Sequence, residues 1–110
     1  GARTFVGSSG VGWFYAMEAI AVTAGLRLPV VAMVGNRALD DPGAFGTEHN
    51  DALAVRDLGW MLNWISTAQE ALDTALIAWR VADMGGANPP SSLLLVAVFP
   101  NLASRISFKQ

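Results

Sequence analysis

The stretch Leu28-Pro29-Val30-Val31-Ala32-Met33-Val34 decides the fold class. An unbroken apolar run with proline at its entry is typical of a strand that is buried on both faces of a parallel sheet. Residues 4–6, 60–65 and 93–99 have the composition of three further strands, with predicted helices between them. Strands that alternate with helices predict an α/β domain whose parallel sheet is joined by right-handed crossovers, with residues 28–34 as the central strand.

Two of the predicted helices flank this strand. Residues 13–24 are almost all apolar, with Glu18 as the only charge, so we expect a single helix that is buried around most of its circumference. Gly25 would end it in the left-handed conformation that glycine adopts easily. A shorter helix is predicted over residues 51–58.

A longer helix is predicted after the third strand. Thr67 and Glu70 have the spacing of a capping box, in which each side chain bonds the backbone of the other residue. Apolar residues then recur at the spacing of one helix face. They are Ala68, Ala71, Leu72, Ala75, Leu76 and Trp79.

Composition excludes several classes of protein. The chain has 110 residues, enough for one domain at most, with 53% hydrophobic and 15% charged residues. Soluble domains typically carry about 25% charged residues, so the apolar excess predicts contacts with partners. The absence of cysteine excludes a disulfide scaffold or a cysteine-held cluster on this segment. A net charge of −2 without a basic cluster argues against nucleic acid, and no apolar run has the length of a membrane span.

The ends of the chain suggest a piece of a longer polypeptide. The sequence opens on Gly1 and runs directly into a predicted strand. No basic region followed by an apolar core marks a secretory signal, so we expect a cytoplasmic location. Residues 1–83 are predicted to form part of one domain, and residues 84–110 its last strand with a divergent or frame-shifted tail.

Two loops qualify as ligand sites, because ligands of parallel sheets bind beyond the carboxyl ends of the strands. The first, residues 7–12, has glycines at 7, 10 and 12 but neither the order of a dinucleotide fingerprint nor a phosphate-loop lysine. A plain tight turn and a cofactor-contacting loop both remain open for it. This weak order also disfavours a free-standing flavodoxin-like nucleotide binder.

The second loop concentrates polar residues in a chain where charge is scarce: Asn36, Arg37, Asp40, Asp41, Glu48, His49 and Asp51. Arg37, directly after the buried strand, could bind a carboxylate through two hydrogen bonds. Its alternative role is an ion pair with Asp40 or Asp41 that holds the loop. His49 could carry a proton, although a hydrogen-bonded structural role beside Glu48 and Asp51 is favoured.

Two further groups have structural interpretations. Arg56 and Asp57 could contact a partner subunit, but a local ion pair is favoured. Trp60, Trp64 and Trp79 are predicted to belong to the core or to a subunit interface.

Several separated motifs, taken in order, resemble one family. They are Gly1-Ala2-Arg3-Thr4-Phe5, Ser8-Ser9-x-Gly, Ala24-Gly25-Leu26-Arg27-Leu28-Pro29-Val30, Asn36-Arg37-Ala38, Glu48-His49-x-Asp51, Arg56-Asp57-x-Gly59-Trp60 and Gln69-Glu70-Ala71-x-Asp73. Over residues 1–83 the chain resembles the α subunit of the pyruvate:ferredoxin oxidoreductases and their 2-oxoacid:ferredoxin oxidoreductase relatives. The resemblance implies a three-layer α/β fold of the thiamine-diphosphate pyrimidine-domain type, present here as an incomplete fragment.

The resemblance also implies a cofactor, partners and site residues. Thiamine diphosphate with Mg²⁺ would be shared with a partner subunit or domain, with Ser8 and Ser9 on the cofactor and the activating glutamate upstream of this segment. Arg37 would contact the carboxylate of a small 2-oxoacid. Electrons would pass to [4Fe-4S] clusters on other segments and then to ferredoxin, with coenzyme A as a possible acyl acceptor. The isolated segment is expected to be inactive.

The loop after Arg37 suggests a second substrate. Residues 37–46 resemble the mobile loop of oxalate oxidoreductase, in which an aspartate and a phenylalanine enter the pocket; Asp40 and Phe45 would match them. A pyruvate-like oxoacid is the first expectation and oxalate the alternative. The alternative from another class is a non-catalytic oligomerisation module.

Overall fold

The computed structural model describes residues 2–39, 48–84 and 93–97 of the chain. Within them, parallel strands form one sheet in the order β1-β2-β4-β3. The strands are β1 (Thr4–Ser8), β2 (Val30–Gly35), β3 (Met61–Ile65) and β4 (Leu93–Ala97). The helices are α1 (Gly10–Tyr15), α2 (Met17–Gly25), α3 (Asn50–Leu53) and α4 (Ala68–Met84). The predicted α/β class with a parallel sheet is confirmed.

Side chains of β2 supply the core on both faces of the sheet. Ala32 and Val34 point to one face, where they join a buried cluster from α1, α2 and the α3 region. Val31 points to the other face and packs against Ala71 and Ala78 of α4. All three β2 residues are fully buried, so the prediction of a strand buried on both faces is confirmed. The domain therefore has three layers, with the sheet in the middle.

The path of the chain through the described strands reverses direction once. It moves in one direction from β1 to β2 to β3, with α1, α2 and α3 on one face, and then turns back to β4 with α4 on the other face. Reversing both direction and face keeps the hand of the crossovers the same. The connections after β2 and after β3 therefore leave toward opposite faces. Such a reversal opens a crevice beyond the carboxyl ends of the strands.

The helical segment after β1 differs from its prediction. It begins at Gly10 and is divided at Ala16, whose φ of −90° and ψ of 8° interrupt the helix between α1 and α2. The prediction that this segment is buried around most of its circumference is wrong, because Trp13 and Ile20 are buried whereas Tyr15 is 95% exposed. Only one face of these helices contacts the sheet, and nothing among the described residues covers the other.

The end of α2 is formed by an arginine in a glycine-like conformation. Gly25 is the last helical residue, and the left-handed residue is Arg27, with φ of 53°. The Leu28 N–H donates to Thr23 O at 3.1 Å and the Arg27 N–H to Ala24 O at 3.0 Å, which is the bonding pattern of a Schellman motif. The prediction that Gly25 would adopt this conformation is wrong by two residues.

The helix between the second loop and β3 is shorter than predicted. α3 covers one turn and is followed by further turns that end at Gly59, with φ of 90°. Val55 within these turns is fully buried in the cluster with Trp13 and Trp60. The predicted helix over residues 51–58 is therefore mostly a packed turn.

The start of α4 follows the prediction, whereas its buried face does not. The Glu70 N–H donates to Thr67 Oγ1 at 3.1 Å and the Thr67 N–H to Glu70 Oε2 at 3.2 Å, so the capping box is confirmed. Ala71, Ala78 and Ala82 are buried against the sheet, but Leu72 and Leu76 are 59% and 66% exposed. Small side chains let the helix lie close to the strands, whereas Leu72 and Leu76 point outward.

The capping box gives α4 a pH-dependent contribution to stability. The backbone N–H and hydroxyl of Ser66 and the N–H of Thr67 hold the pKa of the Glu70 carboxyl below its ordinary value of 4.5. A lowered pKa means that the stabilisation is complete above the unfolded-state pKa and disappears as the pH falls through the folded-state pKa. Glu70→Gln should therefore lower the thermal midpoint of the full-length subunit near neutral pH, and the difference should shrink on acidification. Asp73→Asn changes an exposed carboxylate on the same helix and is the control; a pH-independent difference for Glu70→Gln would contradict this account.

Candidate functional site

Three segments meet at the carboxyl edge of the sheet. Ser8, Ser9 and Gly10 lead from β1 into α1, Arg37 follows β2, and Asp51 lies in the first turn of α3. Asp51 has no exposed surface and is the buried acidic residue of the described chain. A buried carboxylate needs hydrogen-bond donors around it, and the neighbouring loops supply them.

The Asp51 carboxylate accepts hydrogen bonds from both of these loops. Its Oδ2 accepts from the Gly10 N–H at 3.0 Å and from the Arg37 N–H at 3.3 Å. Its Oδ1 accepts from Asn36 Nδ2 at 2.5 Å and from the Ala52 N–H at 2.8 Å. One side chain therefore joins the start of α1, the end of β2 and the start of α3.

The Arg37 side chain lies over Gly10. A Cβ atom at Gly10 would be 2.7 Å from both Cζ and Nε of Arg37, closer than real Cβ contacts. Gly10 also has φ of 50°, in the left-handed region that glycine tolerates. Arg37 Nη1 donates to Ala38 O at 3.5 Å, and the residue is half-buried. The site thus brings the guanidinium across the first turn of α1, beside the end of β1.

Ser8 and Ser9 lie on the same edge. Ser9 Oγ donates to Gly35 O at 2.6 Å, which ties the turn after β1 to the end of β2. Ser8 is the last residue of β1, and its Oγ is 3.2 Å from the position of a Cβ on Gly12. Ser9 is therefore the single residue between β1 and α1, and the role of both serines on a cofactor stays a prediction.

His49 has a different environment from the one expected. Its ring meets Trp64 edge to face, with the centroids 5.0 Å apart, and its Nδ1 is buried with no hydrogen-bond partner among the described residues. The Asp51 carboxylate accepts from Gly10, Asn36, Arg37 and Ala52, and Glu48 accepts from Asn50 Nδ2 at 2.7 Å. His49 and Trp64 line a pocket of about 400 Å³ together with Leu53, Ile65 and Ser66.

The remaining predicted residues divide into two groups. Arg56 and Asp57 form the favoured local ion pair, with Nε and Oδ2 3.2 Å apart and both side chains exposed. Asp40 and Phe45, predicted on the substrate, lie outside the described residues, as does Asp41. Among the described residues no cluster of metal-binding side chains occurs. No helix in those same segments combines the length and apolarity needed to cross a bilayer.

Most of the chain matches one known family. The model of one family, described as "Pyruvate flavodoxin/ferredoxin oxidoreductase, thiamine diP-bdg", matches residues 1–96. The chain belongs to this family. The resemblance drawn from the separated motifs is therefore confirmed, and the match extends past residue 83 into β4.

Curated relatives within the oxidoreductase family are much longer than this chain. Pyruvate synthase subunit PorA of Pyrococcus furiosus is 41% identical over 83 residues, which cover 76% of this chain and 21% of that subunit. PorA of Methanothermobacter thermautotrophicus is 37% identical over 95 residues, covering 86% and 25%. The alpha subunit of NADH-dependent phenylglyoxylate dehydrogenase from Aromatoleum evansii is 35% identical over 83 residues, covering 76% and 20%. The chain spans about a fifth to a quarter of the length of these relatives.

Sequence reasoning missed two members of this candidate site. From the sequence, Asp51 is only a neighbour of His49, and Gly10 only part of a weak glycine motif. The signal for Asp51 was an acidic residue in the first turn of a short apolar helix. Nothing in the spacing of Gly10 and Arg37 along the chain indicates that their atoms are in contact.

Proposed function

We propose that this chain forms part of the pyrimidine side of the thiamine diphosphate site in a 2-oxoacid:ferredoxin oxidoreductase, and that Arg37 binds the substrate carboxylate. The observation that carries the proposal is the position of Arg37. It lies two residues after the inner strand β2 and across Gly10 at the carboxyl edge of the sheet, where ligands of parallel sheets bind.

The chemistry of the side chain fits this role. A guanidinium presents donors in a planar fork that matches the two oxygens of a carboxylate. Arg37 is half-buried, which strengthens its interaction with an anion compared with an exposed arginine. It would orient the 2-oxoacid and offset its negative charge while the reaction takes place at the neighbouring carbon.

The residues around Arg37 also fit the cofactor. Ser8, Ser9 and Gly10 present small groups at the edge, and the buried Asn36 Oδ1 is an acceptor that has no hydrogen-bond partner in the described part of the chain. When bound, thiamine diphosphate supplies the nucleophile for the 2-oxo carbon and takes up the electron pair that decarboxylation releases. Ser9 would hold the turn beside it through its bond to Gly35 O. Mg²⁺ and [4Fe-4S] clusters would be bound by other segments or subunits.

The proposed substrate is pyruvate or a similar small 2-oxoacid, with ferredoxin as the electron acceptor in the cytoplasm. Relatives named pyruvate synthase support this choice, and the phenylglyoxylate enzyme indicates that related subunits serve different 2-oxoacids. Oxalate is the second candidate, because residues 37–46 offer Asp40 and Phe45 after the arginine. Coenzyme A would accept the acyl group from pyruvate, whereas oxalate leaves no acyl group to transfer.

The test is Arg37→Lys in the full-length complex, with reduction of methyl viologen as the measurement. The charge remains but the fork is lost, so we expect KM for the preferred oxoacid to rise about tenfold, the loss typical of one charge-assisted hydrogen bond, with a smaller change in kcat. Arg56→Lys is the matched control, because that arginine is exposed and pairs with its neighbour Asp57.

Each outcome has a clear meaning. Unchanged KM in Arg37→Lys would refute the carboxylate role. Coenzyme A-dependent reduction with pyruvate would identify pyruvate as the substrate, and coenzyme A-independent reduction with oxalate would identify the alternative. A full-length complex that oxidises neither a 2-oxoacid nor oxalate would favour an oligomerisation module.

A further inference from the structure

We infer that Asp51 is a positioning residue for Arg37: its buried carboxylate fixes both the backbone from which the arginine side chain extends and the glycine surface on which that side chain lies. The inference rests on the proposed function, since it assigns Arg37 a substrate to hold. It concerns a residue that would contact neither the substrate nor the cofactor.

A single oxygen of Asp51 carries the main part of the argument. Oδ2 accepts from the Arg37 N–H at 3.3 Å and from the Gly10 N–H at 3.0 Å. Arg37 and Gly10 belong to loops after different strands, so this shared acceptor sets the distance between the two loops. Ser9 Oγ also bonds Gly35 O between these loops, but Asp51 Oδ2 bonds the two residues that lie against each other.

The second oxygen connects the same pair to α3. Oδ1 accepts from Asn36 Nδ2 at 2.5 Å, one residue before the arginine, and from the Ala52 N–H at 2.8 Å. An ionised carboxylate is a side chain with acceptor capacity only, which suits a position surrounded by donors. Because Asp51 has no exposed surface, water has no open access to replace these bonds.

The unpaired oxygen of Asn36 makes a conservative test possible. In Asp51→Asn, the remaining carbonyl oxygen can stay toward the Gly10 and Arg37 N–H groups while the new NH₂ group faces Asn36. Asn36 can then rotate its amide and accept with Oδ1, which is buried and has no partner among the described residues. The Ala52 N–H loses its acceptor, so this variant should be less stable but should still hold Arg37 in place.

The experiment compares Asp51→Ala and Asp51→Asn in the full-length complex, with thermal midpoint and steady-state kinetics measured on the same preparations. Both variants should have lowered midpoints. Asp51→Ala should raise KM for the oxoacid about tenfold, the lower end of the effect of residues that orient a ligand-binding side chain. Asp51→Asn turns the Asn36 amide, so it is assayed with saturating thiamine diphosphate, and there it should leave KM for the oxoacid near that of the unmodified complex. Asp57→Asn is the matched control, since that aspartate is 84% exposed.

A double-mutant cycle separates this inference from the proposed function. Replacing Asp51 by alanine should raise KM much less in an Arg37→Ala complex than in the unmodified one. Both changes act through the contact between the guanidinium and the substrate, which Arg37→Ala has already removed. Equal increases in the two backgrounds, or a KM that rises in both Asp51 variants in proportion to their lost stability, would show that Asp51 acts only on folding. If Arg37→Ala leaves KM unchanged, the proposed function fails first, and the positioning role fails with it.

Discussion

Replacing Gly10 by alanine should lower kcat/KM for 2-oxoacid oxidation by about 100-fold, the loss that a displacement of about 1 Å can cause at a reacting centre. The added Cβ would be 2.7 Å from Cζ and Nε of Arg37, so the guanidinium has to leave its place over α1. The backbone opposes the change as well. Gly10 has φ of 50°, and an L-residue in that region costs about 1–2 kcal/mol.

The measurement is methyl viologen reduction by the full-length complex at several oxoacid concentrations. Gly25→Ala is the matched control, because a Cβ there meets nothing within 4 Å and Gly25 already has helical geometry at the end of α2. The control should retain full activity. A Gly10→Ala complex that is folded and has unchanged kcat/KM would show that the position of Arg37 is unimportant for turnover.

Replacing Trp60 by alanine should lower the free energy of unfolding of the full-length subunit by about 3–5 kcal/mol, the usual cost of removing a buried aromatic side chain. Trp60 is 6% exposed, its Nε1 donates to Ile20 O at 2.9 Å, and its ring meets Trp13 edge to face at 6.1 Å. The substitution would therefore open a cavity between α2 and the sheet and remove the hydrogen bond from the indole to Ile20 O.

Urea titration followed by circular dichroism measures this effect. Trp64→Ala is the comparison, since Trp64 is 42% exposed and should cost clearly less. Trp60→Phe should give an intermediate loss, because it keeps most of the ring volume and removes the hydrogen bond. Equal losses at positions 60 and 64 would mean that the cluster around Trp13 does not dominate the stability of this domain.

The predictions that succeeded depend on local chemistry. The apolar run around Val31 and the Thr67–Glu70 spacing each determine their structure within a few residues, and both are observed. The failures depend on what surrounds an element. Periodicity places Leu72 on a face with Ala71, but only contact with the sheet decides that alanines face inward and leucines outward. Likewise, the sequence favours Gly25 as the left-handed residue, whereas the bond from Leu28 N–H to Thr23 O requires Arg27.

The candidate site was predictable to a similar degree. Arg37 could be selected because it follows a buried strand and carries charge in a chain with little of it. Asp51 could not, because its role comes from donors on two loops that are separated from it by 41 and 14 residues. Asp40 and Phe45 remain predictions from the family resemblance, since they lie outside the described residues.

The position of β4 has a consequence for the order in which the domain folds during synthesis. β4 is the last strand along the described chain, yet it lies between β2 and β3 and pairs with both. Until residues 93–97 leave the ribosome, β2 and β3 each have an open hydrogen-bonding edge with no native partner. Open apolar edges invite wrong pairing and attract chaperones. A nascent chain that stops before β4 should therefore stay protease-sensitive, and extension through residue 97 should convert β2 and β3 together into a protected unit.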